Sequence, residues 1–206
     1  LKQALQHKDP FEEIVGTSRA IQEVRSLIRK VAPTETSVLI RGESGTGKEL
    51  AARAIHRLSL RAEEPLISLN CAAVPAELIE TELFGHKKGA FTGSVGDHKG
   101  VFRTAHRGTL FLDEIEATSP AMQVKLLRAI QVGEIKPVGE SRSQMVDARL
   151  IAATNRDLSE LIRKGMFRED LYYRINVFPI TIPPLRDRLD DLQVLVRHFL
   201  DKFSEQ

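Results

Sequence analysis

The chain has 206 residues, enough for one ordinary domain or for one domain and the start of another. Hydrophobic residues make up 42% and charged ones 28%, and a net charge of +2 gives no electrostatic case for nucleic acid as a direct partner. The single cysteine, Cys71, excludes an internal disulfide and fits a reducing compartment, and the six histidines are scattered without metal spacing.

Cys71 reads as a small buried thiol near a strand end rather than as a nucleophile. No apolar stretch approaches membrane-spanning length, and no signal-peptide pattern is present. Residues 1–10 read as a linker from an upstream region, because the sequence opens on Leu1 rather than Met. A helix is predicted over Arg19–Lys30, then a short apolar strand over Val38–Arg41. Directly after that strand comes Gly42-Glu43-Ser44-Gly45-Thr46-Gly47-Lys48-Glu49, and then a helix over Glu49–Leu58. Strand, glycine-rich loop and helix in this order make a phosphate cradle. Its glycines allow positive φ and close backbone approach, and the helix start turns unpaired N–H groups toward an anion. Lys48 would lie on the β- and γ-phosphates of a nucleoside triphosphate. The alternative is a tight turn that merely needs glycine. Glu49 stands where most such loops carry Ser or Thr for Mg²⁺, so Thr46, a water or another carboxylate must complete the metal shell.

A second strand is predicted over Leu66–Asn70 and a helix over Ala76–Leu83. The segment 85–100 reads as an inserted loop, rich in glycine and basic residues around Phe91. It presents Phe91 and Thr92 to a partner, or is a simple connection, or is a hairpin that touches nucleic acid. The strand Thr109–Asp113 ends in two carboxylates, Asp113 and Glu114. Ligands of a parallel sheet sit at the carboxyl ends of its strands, so Asp113 would reach Mg²⁺ and Glu114 would polarise the attacking water. Solvated strand caps are the bland alternative.

Ser119 and Pro120 open a helix over Pro120–Gln131. The strand Arg149–Thr154 ends at Asn155, which orients water or senses the γ-phosphate, or else only forms a turn. A helix around Asp170–Arg174 carries Arg168 and Arg174. On one straight helix those two side chains would point about 120° apart. That separation suggests that one meets the γ-phosphate across a subunit seam while the other holds the interface. Local pairing of Asp170 with Arg174 is the alternative. A last strand, Val177–Ile182, ends at Pro183-Pro184, and an apolar stripe from Leu189 to Phe203 marks a helix with nothing after it to pack against. Strands alternating with helices indicate a parallel sheet covered on both faces.

Five segments carry a resemblance: Gly-Glu-Ser-Gly-Thr-Gly-Lys-Glu, Glu-Leu-Phe-Gly-His-Lys-Lys-Gly-Ala-Phe-Thr-Gly-Ser, Gly-Thr-Leu-Phe-Leu-Asp-Glu, Ala-Ala-Thr-Asn-Arg-Asp-Leu and Phe-Arg-Glu-Asp-Leu-Tyr-Tyr-Arg-Ile-Asn-Val-Phe. In this order they resemble the AAA+ central domain of bacterial enhancer-binding proteins, the NtrC-type activators of sigma-54 RNA polymerase, from about Phe11 to Leu200. The resemblance implies an α/β P-loop NTPase with a central parallel five-stranded sheet over residues 11–188. It also implies a helical lid of which only the start, residues 189–206, is present. Gly42, Glu43, Ser44, Gly45, Thr46, Gly47, Lys48 and Glu49 would bind ATP, with Ile14, Val15 and Gly16 over the adenine. In that family Glu commonly follows the loop lysine, as Glu49 does here.

Asp113 would serve Mg²⁺ and Glu114 the water, Asn155 resembles the first sensor, and Asn70 resembles the asparagine that holds the catalytic glutamate. Arg168 and Arg174 resemble arginines that act across the seam of a homo-oligomeric ring of six or seven. Gly89, Ala90, Phe91, Thr92, Gly93 and Ser94 match the loop that engages sigma-54, with Ser94 where Ala is usual. The implied setting is the bacterial cytoplasm, away from membrane, with enhancer DNA bound only through an absent C-terminal domain. Without its lid the fragment is expected to be a poor ATPase. The rival readings are an AAA+ ATPase acting directly on DNA and a non-catalytic nucleotide-gated module. Stimulation of turnover by bare DNA would favour the first, and partner binding indifferent to Glu114→Gln would favour the second.

Overall fold

The computed structural model describes residues 10–90 and 96–204. In chain order the helices are α1 (Arg19–Val31), α2 (Lys48–Arg57), α3 (Ile79–Phe84), α4 (Gly100–Thr104), α5 (Pro120–Val132), α6 (Leu158–Arg163), α7 (Glu169–Ile175) and α8 (Leu192–Ser204). The strands are β1 (Val38–Arg41), β2 (Leu66–Asn70), β3 (Thr109–Asp113), β4 (Glu134–Ile135), β5 (Gln144–Met145), β6 (Arg149–Thr154) and β7 (Phe178–Thr181). β4 and β5 form a small antiparallel hairpin. The other five strands make one sheet in the order β2-β3-β6-β1-β7, and every pair in it is parallel.

Successive strand side chains alternate between faces, and the core is divided accordingly. Leu39, Leu110, Leu112 and Ala152 join one buried cluster with residues of α3, α4, α5 and α7. Val38, Ile40, Phe111, Ile151 and Ala153 join the other, with residues of α1 and α2. A sheet buried on both faces explains why β1, β3 and β6 read as unbroken apolar runs.

The helix signals are used locally as their chemistry requires. The Ser18 hydroxyl accepts from the Ile21 amide to cap α1. Ser119 caps α5 ahead of Pro120, and Gly133 closes that helix in the left-handed region. The last strand is shorter than the predicted Val177–Ile182, because its only neighbour, β1, offers four residues, Val38 to Arg41. Pro179 is tolerated there because β7 lies at the sheet edge. Residues 76–78 form a turn instead of the start of α3. The elements α4, α6 and the β4–β5 hairpin are absent from the sequence expectations. At six residues or fewer, they are too short to show a period.

Candidate active site

Between the end of β1 and the start of α2 the backbone turns through Gly45 (φ +78) and Gly47 (φ +100), left-handed positions that favour glycine. Gly47 caps α2 without a side chain, which leaves the first amides of a ten-residue helix aimed out of the loop. Lys48, the first residue of α2, is 7% exposed. Its Nζ donates to the carbonyls of Gly42 at 2.9 Å and Glu43 at 3.0 Å, so the ammonium is held inside the bend of the loop. The Thr46 hydroxyl also closes the loop, donating to the Glu43 carbonyl at 2.8 Å. Glu43 is engaged by Arg186, whose hydrogen bond holds its carboxyl below the usual value. Glu49, expected among the nucleotide-binding residues, instead accepts from Arg53 one turn along α2 at 2.7 Å and does not line the cleft above the loop.

β6 lies between β1 and β3, so Asn155 follows the strand that separates the phosphate loop from Asp113 and Glu114. The Glu114 amide donates to Asp113 Oδ1 at 2.9 Å, and no hydrogen bond to Oδ2 is made among the described residues. Glu114 itself has φ +51 and ψ +48, a left-handed conformation costly for a residue with a side chain. Asn155 Nδ2 lies 3.5 Å from Glu114 Oε1, and the Asn155 amide donates to Glu116 Oε1 at 3.4 Å. The expected bond from Asn70 to Glu114 is not made. Asn70 Oδ1 accepts from the Ala72 and Ala73 amides at 2.9 and 3.1 Å, an Asx turn that fixes the exit from β2. Cys71 is buried, and burial together with Glu116, Asp113 and Glu114 pushes its thiol up to about 12, which leaves it no nucleophilic role.

Arg168 and Arg174 are both exposed. Arg168 is the cap residue of α7 with φ −80 and ψ +133, outside the helix, so the expected angle along one straight helix does not apply. Its amide donates to Gln123 Oε1 at 2.8 Å, and its guanidinium grips Asp170 at 2.7 and 3.0 Å. Asp170 therefore pairs with Arg168, not with Arg174 four residues on. Arg174 donates to the Ile130 carbonyl of α5 at 3.3 Å. Neither arginine contacts the phosphate loop of its own chain among the described residues.

The described residues that flank the loop expected to meet a partner are paired with each other. His86 and His98 exchange backbone hydrogen bonds at 2.9 and 3.0 Å, and Lys87 Nζ donates to Asp97 at 2.8 Å. Gly89 and Ala90 lie between those paired residues, while Phe91, Thr92, Gly93 and Ser94 lie outside the described residues.

A cleft of about 750 Å³ stands over the phosphate loop. Its far wall is Ile14 and Val15, held by Arg25, whose Nη2 donates to the Ile14 carbonyl at 2.5 Å, and by Phe11 under Arg29. Gly16 does not line the cleft and sits behind it against Asp191. Leu195, His198, Phe199 and Lys202 of α8 line the remaining side. Two residues of the apolar stripe, Leu195 and Phe199, therefore face this space. Sequence reasoning also passed over Arg186, Arg188 and Asp191. A dense Arg-Asp-Arg-Leu-Asp-Asp run after Pro184 was their only signal, and such runs usually mark a solvated turn.

Among the described residues no helix is long and apolar enough to cross a membrane. The Nif-specific regulatory protein of Herbaspirillum seropedicae is 57% identical over 203 residues, covering 98% of this chain and 38% of that protein. The crystal structure of NtrX from Brucella abortus in complex with ATP superposes with a TM-score of 0.88 at 39% identity, over 94% of this chain and 44% of that one. The fold is shared with the P-loop NTPase domain of the sigma-54 transport activator from E. coli, at a TM-score of 0.55 and 20% identity over 83% of this chain and 99% of that one. This chain thus spans well under half of the length of the first two. The sigma-54 interaction domain family matches residues 14–181, which include the phosphate loop, both carboxylates and both arginines, and the chain belongs to that family.

Proposed function

We propose that this chain is the ATP-hydrolysing motor of a bacterial, cytoplasmic sigma-54-dependent transcriptional regulator, and that it remodels sigma-54 RNA polymerase so that promoter DNA opens. One arrangement carries the reading. Within a sigma-54 interaction domain, a phosphate loop and a strained Glu114 stand at the carboxyl ends of β1 and β3 with Asn155 between them. The ATP bound to NtrX, 39% identical to this chain, supports ATP as the nucleotide.

The loop amides and Lys48 bind the phosphates, while Ile14 and Val15 receive the base. Glu114 takes the proton of the attacking water, and Asn155, 3.5 Å from its carboxylate, helps to position it. Asp113 fits Mg²⁺, because one of its oxygens is left over after the Glu114 amide is satisfied. A Mg²⁺ held there would neutralise charge on the phosphates.

Exposed Arg168 and Arg174 suit contact with a neighbouring protomer, and the resemblance implies a ring of six or seven copies as the active form. Gly89 to Ser94, the segment between the paired residues His86 and His98, forms the contact with sigma-54. Enhancer DNA is bound by a part of the protein outside this chain.

Titration calorimetry of the full chain with a non-hydrolysable ATP analogue tests the nucleotide site. Lys48→Ala is expected to weaken binding by about 10- to 100-fold, the loss of hydrogen bonds from a charged donor. Affinity equal to the unmutated protein would contradict the assignment.

A further inference from the structure

The cleft has three walls, and one buried ion pair touches the elements behind all of them. Asp191 is 0% exposed and ends the turn Leu189–Asp191 that leads into α8. Its Oδ1 accepts from the Thr17 and Ser18 amides at 2.6 Å each, and its Oδ2 accepts from the Ser18 hydroxyl at 2.7 Å. Those residues join the Ile14–Val15 wall to α1. Gly16 belongs to the same joint, for a Cβ there would come within 2.8 to 3.0 Å of the Asp191 carboxylate. Burial acts to raise the Asp191 pKa, but the Ser18 hydroxyl and the Ser18 and Thr17 amides outweigh it, with Arg188 adding to them, and hold it below the usual value.

Arg188 completes the connection. Its side chain is 10% exposed and lines the cleft. Nη2 donates to the Thr46 carbonyl of the phosphate loop at 3.5 Å, and Nη1 lies 4.0 Å from Asp191 Oδ2. Its Nε is buried without an acceptor, an unfavourable state that a phosphate oxygen would relieve. α8 has no buried side chain of its own, so its placement over the cleft depends on this stem.

We infer that Arg188 and Asp191 form a latch that makes nucleotide affinity depend on where α8 stands. Asp191 ties the stem of α8 to residues 16–18, and Arg188 ties it to the phosphate loop and offers its spare donor to the phosphate chain. Both are positioning residues, and Arg188 is in addition a candidate nucleotide contact. Neither acts on the attacking water. The latch rests on the reading of this cleft as the nucleotide site.

The test compares Asp191→Asn, Gly16→Ala and Arg188→Met in the full chain. The measurements are Kd for a non-hydrolysable ATP analogue, steady-state kcat and KM for ATP, and thermal melting without nucleotide. Each variant is expected to raise Kd and KM about tenfold, as for losing hydrogen bonds to a charged group, with kcat at saturation within about twofold. Arg188→Met sits at the least constrained point of the joint and serves as the variant whose fold is least disturbed. Folded variants with unmutated Kd, or with kcat lowered and KM unchanged, would overturn the latch. If the unmutated chain binds no nucleotide, the underlying nucleotide reading fails, and the latch falls with it.

Discussion

Glu114→Gln is expected to lower ATP turnover by about 10²- to 10⁴-fold while nucleotide affinity stays within about twofold of the unmutated chain. The asymmetry follows from what Glu114 touches. Its amide is bonded to Asp113 and its carboxylate faces Asn155, and it makes no contact with the phosphate loop among the described residues. Glutamine keeps the shape and the backbone bond but cannot accept the proton of water. Glu114 directly follows β3 with a left-handed backbone, an arrangement that motivates a functional reading of this position. Single-turnover rates together with analogue binding separate the two effects. Loss of binding in step with loss of turnover would place Glu114 in the nucleotide cradle instead.

The second large effect is expected at Arg168. Alanine there should reduce turnover by about 10³-fold or more, within the range found for arginines that stabilise charge on a transferring phosphoryl group. Its partner Asp170 is itself exposed, and pairs of that kind hold weakly in water, so the guanidinium is free to exchange partners when a neighbour's phosphates approach. Arg174, bonded to the Ile130 carbonyl of its own chain, is expected to affect assembly more than chemistry when replaced by alanine. Turnover and sedimentation of the two variants check this division, and matching defects would refute it. Mixing supplies a sharper check. Arg168→Ala and Glu114→Gln are each expected to be nearly inactive alone. Equal mixtures should regain about a quarter of the seams, those where one protomer's Glu114 meets the other's Arg168. No regained activity would mean that Arg168 acts within its own chain.

The five core strands and the phosphate loop were legible because their signals are local: apolar runs bounded by turns, and glycines where the backbone takes positive φ. Asp113 and Glu114 were legible by their place at the end of such a run. Side-chain partners were less so. Asp170 was a candidate partner for Arg174 at helical spacing, yet it binds Arg168, the cap residue just ahead of α7. The bond from Asn70 to Glu114 was implied by the resemblance alone, and in the structure Asn70 is turned into a local Asx turn at the end of β2 instead. The Arg188–Asp191 joint was invisible for another reason. Asp191 meets Thr17 and Ser18 across more than 170 positions of sequence, and no periodicity carries that distance.

The central claim is that ATP cleavage at a seam between protomers drives the Gly89–Ser94 loop against sigma-54. The most direct measurement mixes the full-length protein with sigma-54 and follows co-migration with no nucleotide, with ADP, and with ADP plus aluminium fluoride as a mimic of the transferring phosphoryl group. The account predicts a stable complex only with the mimic, and its loss in both Phe91→Ala and Arg168→Ala. A complex of equal stability in all three states, or one indifferent to Arg168, would contradict it.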